Sequence, residues 1–192
     1  MPDASVPTPA VWLIGPSGVG KSTVGYEAFR RLCRSGRISA YIDHDQMGLC
    51  YPQPPDDPNN HRIKSTNLGV VWGTYRDAGA TSLIMCGGAE RAELVPLYVA
   101  RVPDTTVRVV RLRAAPAVLR ERIFRRGMGA GPVLPGTKLG LSAEALERMA
   151  TEAAEEAGRF DAEDYAHTCI DTEDRSVDEL AELVLAQLPR LP

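Results

Sequence analysis

Gly15-Pro16-Ser17-Gly18-Val19-Gly20-Lys21-Ser22 is the stretch whose residue types and spacing speak most directly of chemistry. Glycines let consecutive backbone N–H groups turn inward, and a helix opening near Lys21 adds the positive end of its dipole. That cradle suits a chain of phosphate oxygens. A lysine after the last glycine reaches the outer phosphates, and the following hydroxyl ligates magnesium. Gly15, Ser17, Gly18, Val19, Gly20, Lys21, Ser22 and Thr23 are therefore the candidate nucleotide-binding residues. ATP and Mg2+ are the expected cofactors, with Lys21 counted among the catalytic groups and Ser22 as a metal ligand.

Asp43-His44-Asp45 supplies the second ingredient. Phosphoryl transfer needs a carboxylate that positions the incoming hydroxyl and accepts its proton, and a further group to hold the metal. Two acids one residue apart on an extended segment point the same way and can divide these jobs. Asp45 reads as the base and Asp43 as the metal-side acid, with the reverse assignment still open. His44 reads as structural. Leu83-Ile84-Met85-Cys86 runs into Gly87-Gly88 without the acid that motor and switch ATPases carry there. That moves the metal duty onto Asp43 and Asp45.

These residues need a frame. Strands are expected at Ala10–Ile14, Ile38–Ile42, Ser82–Cys86, Thr106–Leu112 and Thr168–Ile170. Helices are expected from Lys21 to Ser35, His61 to Asp77 and Ser142 to Phe160, and from Pro116 onward. A shorter one, Arg91 to Arg101, is expected to break at Pro96. The last helix opens on the capping box Ser176-x-x-Glu179. Ile63, Leu68, Val71 and Tyr75 form the expected inner side of the His61 helix. Val177, Leu180, Val184 and Leu188 form that of the last. Alternating strands and helices predict an α/β, three-layer fold with a five-stranded parallel sheet, its ligands beyond the carboxyl ends of the strands. Residues 1–9 read as a flexible tail and 10–192 as one domain, with a glycine-rich lid over about 127–141.

Composition narrows the partners. The chain has 192 residues and a formal net charge of -3, which counts against nucleic acid or a membrane surface as partner. No run is apolar enough to span a bilayer. A cytoplasmic protein is expected, with a homodimer left open. Cys33, Cys86 and Cys169 lie in or beside apolar segments and read as buried free thiols.

The phosphate loop with Thr23, the acidic strand end Asp43 to Asp45, the Leu119-x-x-Arg122-Ile123-x-x-Arg126-Gly127 helix and Ile170-Asp171-Thr172 together resemble the small P-loop kinases. These include the shikimate, gluconate and adenylyl-sulfate kinases and the antibiotic phosphotransferases. The resemblance implies an ATP-dependent phosphotransferase acting on a small-molecule hydroxyl or amino acceptor. It further implies Arg122 against adenine or the phosphates, Arg126 closing over the γ-phosphoryl group, and Thr172 and Arg175 beside the adenine. It also implies a small acceptor-binding insertion after the second strand, where Arg62, Lys64 and Asn67 recur on one helix side; Arg91 is a further acceptor candidate. Asp43-His44-Asp45 is similar to the Asp-Gly-Asp of adenylyl-sulfate kinase. That family's arginine three residues on is Gly48 here, and its serine-proline segment is replaced by Cys86-Gly87-Gly88-Ala89, which sets adenylyl sulfate aside. A nucleic-acid 5′-end kinase and a regulatory nucleotide-binding NTPase are the alternative readings.

Overall fold

A computed structural model describes residues 6–130 and 140–189. Five strands, β1 (Thr8–Ile14), β2 (Ser39–Asp43), β3 (Ser82–Cys86), β4 (Thr105–Arg113) and β5 (Thr168–Asp171), form one parallel sheet in the order β2-β3-β1-β4-β5. Among the described residues six helices connect and cover them: α1 (Lys21–Arg34), α2 (His61–Asp77), α3 (Val95–Val99), α4 (Pro116–Gly127), α5 (Ala143–Glu163) and α6 (Val177–Leu185). The parallel register runs Ala10 to Leu83 on one side of β1 and Ala10 to Val107 on the other.

Alternation along β1 explains the three layers. Val11 and Leu13 join one core with Val24, Ala28, Leu119 and Ala153, from α1, α4 and α5. Ala10, Trp12 and Ile14 join a second core with Leu68, Trp72 and Tyr98, from α2 and α3. Successive strand side chains point to opposite faces, so a strand at the centre of a parallel sheet is apolar on both. β1 begins at Thr8, two residues inside the expected tail, because Thr8 and Pro9 pair with Thr105 and Thr106.

Several expectations are corrected. Pro96 does not break α3 but sits in its first turn, where a missing N–H costs no helical bond. The buried side of α2 is His61, Ser65, Leu68 and Trp72, while Tyr75 is exposed. Two polar residues can lead that stripe because His61 Nδ1 meets the Tyr98 hydroxyl at 2.8 Å and the Ser65 hydroxyl donates to the Arg62 carbonyl. Cys33 and Cys169 are exposed, and only Cys86 is buried. Cys33 follows the buried Leu32 by one residue, about 100° round the helix. Cys169 lies on the face of the edge strand opposite buried Ile170. The capping box at Ser176 and Glu179 forms as expected, but Val177 faces outward.

His44 is a structural residue. It follows β2, is fully buried, stacks on Tyr98 and meets the Gly87 carbonyl through Nδ1 at 3.1 Å. Burial pushes its imidazole down to about 4 from an ordinary value of 6.5. A depressed folded value means that the stability is present above the unfolded pKa and is lost as pH falls from there toward 4. Denaturant titrations from pH 7.5 to 4.5 are expected to show ~2–3 kcal/mol more acid destabilisation in the wild type than in His44→Gln. Equal pH slopes in the two proteins would contradict a neutral, buried His44.

Candidate functional site

The turn after β1 is shaped by backbone. Gly15 has φ +138°, and a Cβ there would lie 2.3 Å from the Leu112 carbonyl oxygen, so only glycine fits. Gly18 and Gly20 also have positive φ, at +82° and +106°. Among the described residues the N–H groups of Gly18 and Gly20 have no acceptor. Those of Lys21, Ser22 and Thr23 begin α1, where the first turn has no intrahelical partner. The unclaimed donors converge with the helix dipole, as an anion site requires. The Lys21 ammonium donates to the Gly15 carbonyl at 2.7 Å and the Pro16 carbonyl at 3.1 Å, which leaves its third N–H.

The two acids stand in different surroundings. Asp43 ends β2 and Asp45 lies on the following 3-10 turn, so strand alternation does not relate them. Asp43 is 8 % exposed. Its Oδ2 accepts from the Ser22 hydroxyl at 2.6 Å and the Tyr41 hydroxyl at 3.3 Å, and its Oδ1 from the Asp45 N–H at 3.1 Å. Burial raises its carboxyl above the usual range, against the pull of Ser22. The Asp45 side chain is 55 % exposed and has the Lys64 ammonium 3.7 Å from Oδ1. Behind Asp45, Gly87 has φ +76°, and a Cβ there would fall 2.6 Å from the Asp45 carboxylate and push it aside.

A cleft of about 500 Å³ runs from the phosphate loop to the arginines, and Asp45, Arg122, Arg125, Arg126 and Arg175 line it. α4 explains the grouping, since residues three and four apart share a helix side. Arg120 turns the other way, to Glu147 at 2.8 Å and over the Phe124 ring. The Arg122 guanidinium is held by the Thr172 hydroxyl and carbonyl, both at 2.9 Å, and by the Val19 carbonyl at 3.3 Å. Thr172 is 1 % exposed, so its observed part is to fix Arg122. Of the expected lid, 131–139 lie outside the described residues.

The structure does not gather the expected acceptor residues. Arg62 forms a forked pair with Asp56 at 2.8 and 3.0 Å, Asn67 donates to the Met47 carbonyl, and Arg91 pairs with Glu93. Only Lys64 reaches Asp45. The polar insertion is largely self-satisfied. Asp57 accepts from the first N–H groups of α2, and the Asn60 amide holds the Gly48 and Cys50 carbonyls.

Two acids missing from the sequence reading face the site. Glu156 of α5 accepts from the Ser17 N–H at 2.8 Å. Glu90, after β3, accepts from His61 at 2.9 Å and Asn59 at 2.8 Å. Burial works against the Glu90 charge, but His61 and Asn59 outweigh it and hold the carboxyl below its usual range. The one signal for Glu156 is its place within the apolar run Ala153, Ala157 and Phe160, where an acid needs a partner.

No family model and no curated protein matches this sequence. Solved structures share its fold. The Deinococcus radiodurans tunicamycin resistance protein aligns over 95 % of this chain and 99 % of its own, with TM-score 0.59 at 21 % identity. Shikimate kinase from Acinetobacter baumannii, in complex with shikimate, covers 95 % of this chain and 92 % of its own, with TM-score 0.55 at 19 % identity. The Mycobacterium tuberculosis APS kinase, in complex with AMPPNP and APS, covers 95 % and 98 %, with TM-score 0.52 at 19 % identity. This chain therefore has the three-layer α/β fold of the small P-loop kinases.

Proposed function

We propose that this chain is an ATP-dependent phosphotransferase that moves the γ-phosphoryl group to a hydroxyl, or amino group, of a small molecule. The observation that carries the reading is the phosphate loop itself. Its unclaimed amides open on one side to an arginine-lined cleft and on the other to the exposed carboxylate of Asp45. Related folds include an APS kinase in complex with AMPPNP and APS and a shikimate kinase in complex with shikimate.

The residues then have distinct work. The amides of Gly18 to Thr23 hold the phosphates, and Lys21 follows the charge on the outer ones. Arg122, fixed by Thr172, and Arg175 border the base, while Arg125 and Arg126 face the transferring group with planar, forked donors. Asp45 orients the acceptor hydroxyl and takes its proton. Ser22 and Asp43, 2.6 Å apart, fit a magnesium ion with oxygen ligands, which would neutralise charge on the β and γ phosphates. The cytoplasm, where ATP is abundant, is the expected setting, and among the described residues no helix is long and apolar enough to cross a membrane.

The test is a panel of hydroxylated metabolites and antibiotics incubated with protein, ATP and magnesium. ATP consumption should require one acceptor class, with a product heavier by one phosphate. Hydrolysis at the same rate with and without every acceptor would contradict the proposal.

A further inference from the structure

A second, smaller cavity of about 50 Å³ adjoins the phosphate loop on the side away from the arginines. Lys21, Asp45, Gly87, Glu90, Glu156 and Phe160 are among its walls. Its place is informative. Lys21, which would touch the γ phosphate, and Asp45, which would take the acceptor's proton, line both this cavity and the larger cleft, so a hydroxyl between them has this cavity beside it. Gly87 and Gly88, both at positive φ, reduce one wall to backbone.

The charge of this cavity is one-sided. Three carboxylates face it against one lysine, Lys21, which also donates to the Gly15 and Pro16 carbonyls. Asp45 has Lys64 at 3.7 Å and Glu90 has His61 at 2.9 Å. Glu156 has no cationic side chain within ion-pair distance among the described residues, and its hydrogen bond comes from the Ser17 N–H. Burial first, and then the charges of Glu90 and Asp45, push its carboxyl up, against Lys21 and Ser17. An acceptor carrying a carboxylate here would meet like charge at close range, which selects against it. Among the described residues no three His, Cys, Asp or Glu side chains are grouped as a metal site. The complement of three carboxylates beside the Phe160 side chain is an organic cation.

We propose that the acceptor is a hydroxyl compound bearing a protonated amine, with Glu156 as the specificity-determining carboxylate that receives the ammonium while the hydroxyl faces Asp45. This rests on the phosphotransferase reading. The transfer itself is unchanged: the acceptor oxygen bonds to the γ phosphorus, the bond to the bridging oxygen breaks, ADP leaves, and the hydroxyl proton passes to Asp45.

The test compares amino alcohols and amino sugars with their N-acetylated forms and with hydroxy acids, using the whole chain with ATP and magnesium. Amines should be phosphorylated with kcat/KM at least tenfold above their N-acetylated forms. In Glu156→Gln the KM for the amine should rise about 10- to 100-fold, with kcat within a few-fold and the N-acetylated form unaffected. Hydroxy acids or N-acetylated forms taken as well as amines would overturn the amine assignment and leave the phosphotransferase standing. No transfer to any member would overturn both. Equal KM increases for both forms, or loss of ADP binding in Glu156→Gln, would make Glu156 a support of the Ser17 turn and overturn its role in specificity.

Discussion

Lys21→Ala is expected to lower turnover on the order of 10³-fold while the protein stays folded. Lys21 opens α1, where alanine is the best helix former, so the backbone should tolerate the change. The ammonium is a different matter. It is held by two loop carbonyls at 2.7 and 3.1 Å and adjoins both the arginine cleft and the acidic cavity. A donor fixed before reaction costs no reorganisation as charge develops, and removal of one such donor lowers kcat by ~10²–10³. The loss of a full positive charge should reach the upper end of that range. Acceptor-dependent ADP release measures it, and a rate near that of the wild type would refute the assignment.

The second large effect separates the two acids. Asp45→Asn should keep nucleotide affinity and lose transfer by ~10²–10⁴-fold, the usual contribution of a positioned base. Asp43→Asn should instead weaken binding of magnesium with nucleotide, because Asp43 is tied to Ser22 at 2.6 Å and is screened from solvent. Its carboxyl is raised by burial, so the anion needed for the metal is present above that raised value and is lost as pH falls through it. Magnesium-dependent nucleotide affinity should therefore weaken at a pH above the ordinary aspartate range, and Asp43→Asn should lack this dependence. If Asp45→Asn loses nucleotide affinity and Asp43→Asn does not, the roles are reversed.

The sheet and the phosphate loop were legible because both are written locally. A run such as Val11 to Ile14, buried on both faces, has one comfortable place in a parallel sheet, and the glycines after it have one backbone use. The Arg122 helix was legible for the same reason, since residues on one helix side share a surface. What escaped depends on contacts between distant segments. Glu156 meets Ser17 across 139 residues, and Glu90 meets His61 across 29. No spacing rule relates such pairs. The pairing of the expected acceptor residues was not legible, because polar loops have nearby ways to satisfy themselves, as Arg62 does with Asp56. The resemblance places Thr172 beside the base, and the bond its hydroxyl accepts from Arg122, 50 residues away, was equally out of reach of any spacing rule.

The most direct test is a crystal structure with a non-hydrolysable ATP analogue and magnesium. Its β and γ phosphates should lie within bonding distance of the Gly18 to Thr23 amides, with the adenine toward Arg122 and Arg175. A nucleotide bound elsewhere, or none bound while the Gly15 to Ser22 turn stays as it is here, would contradict the account.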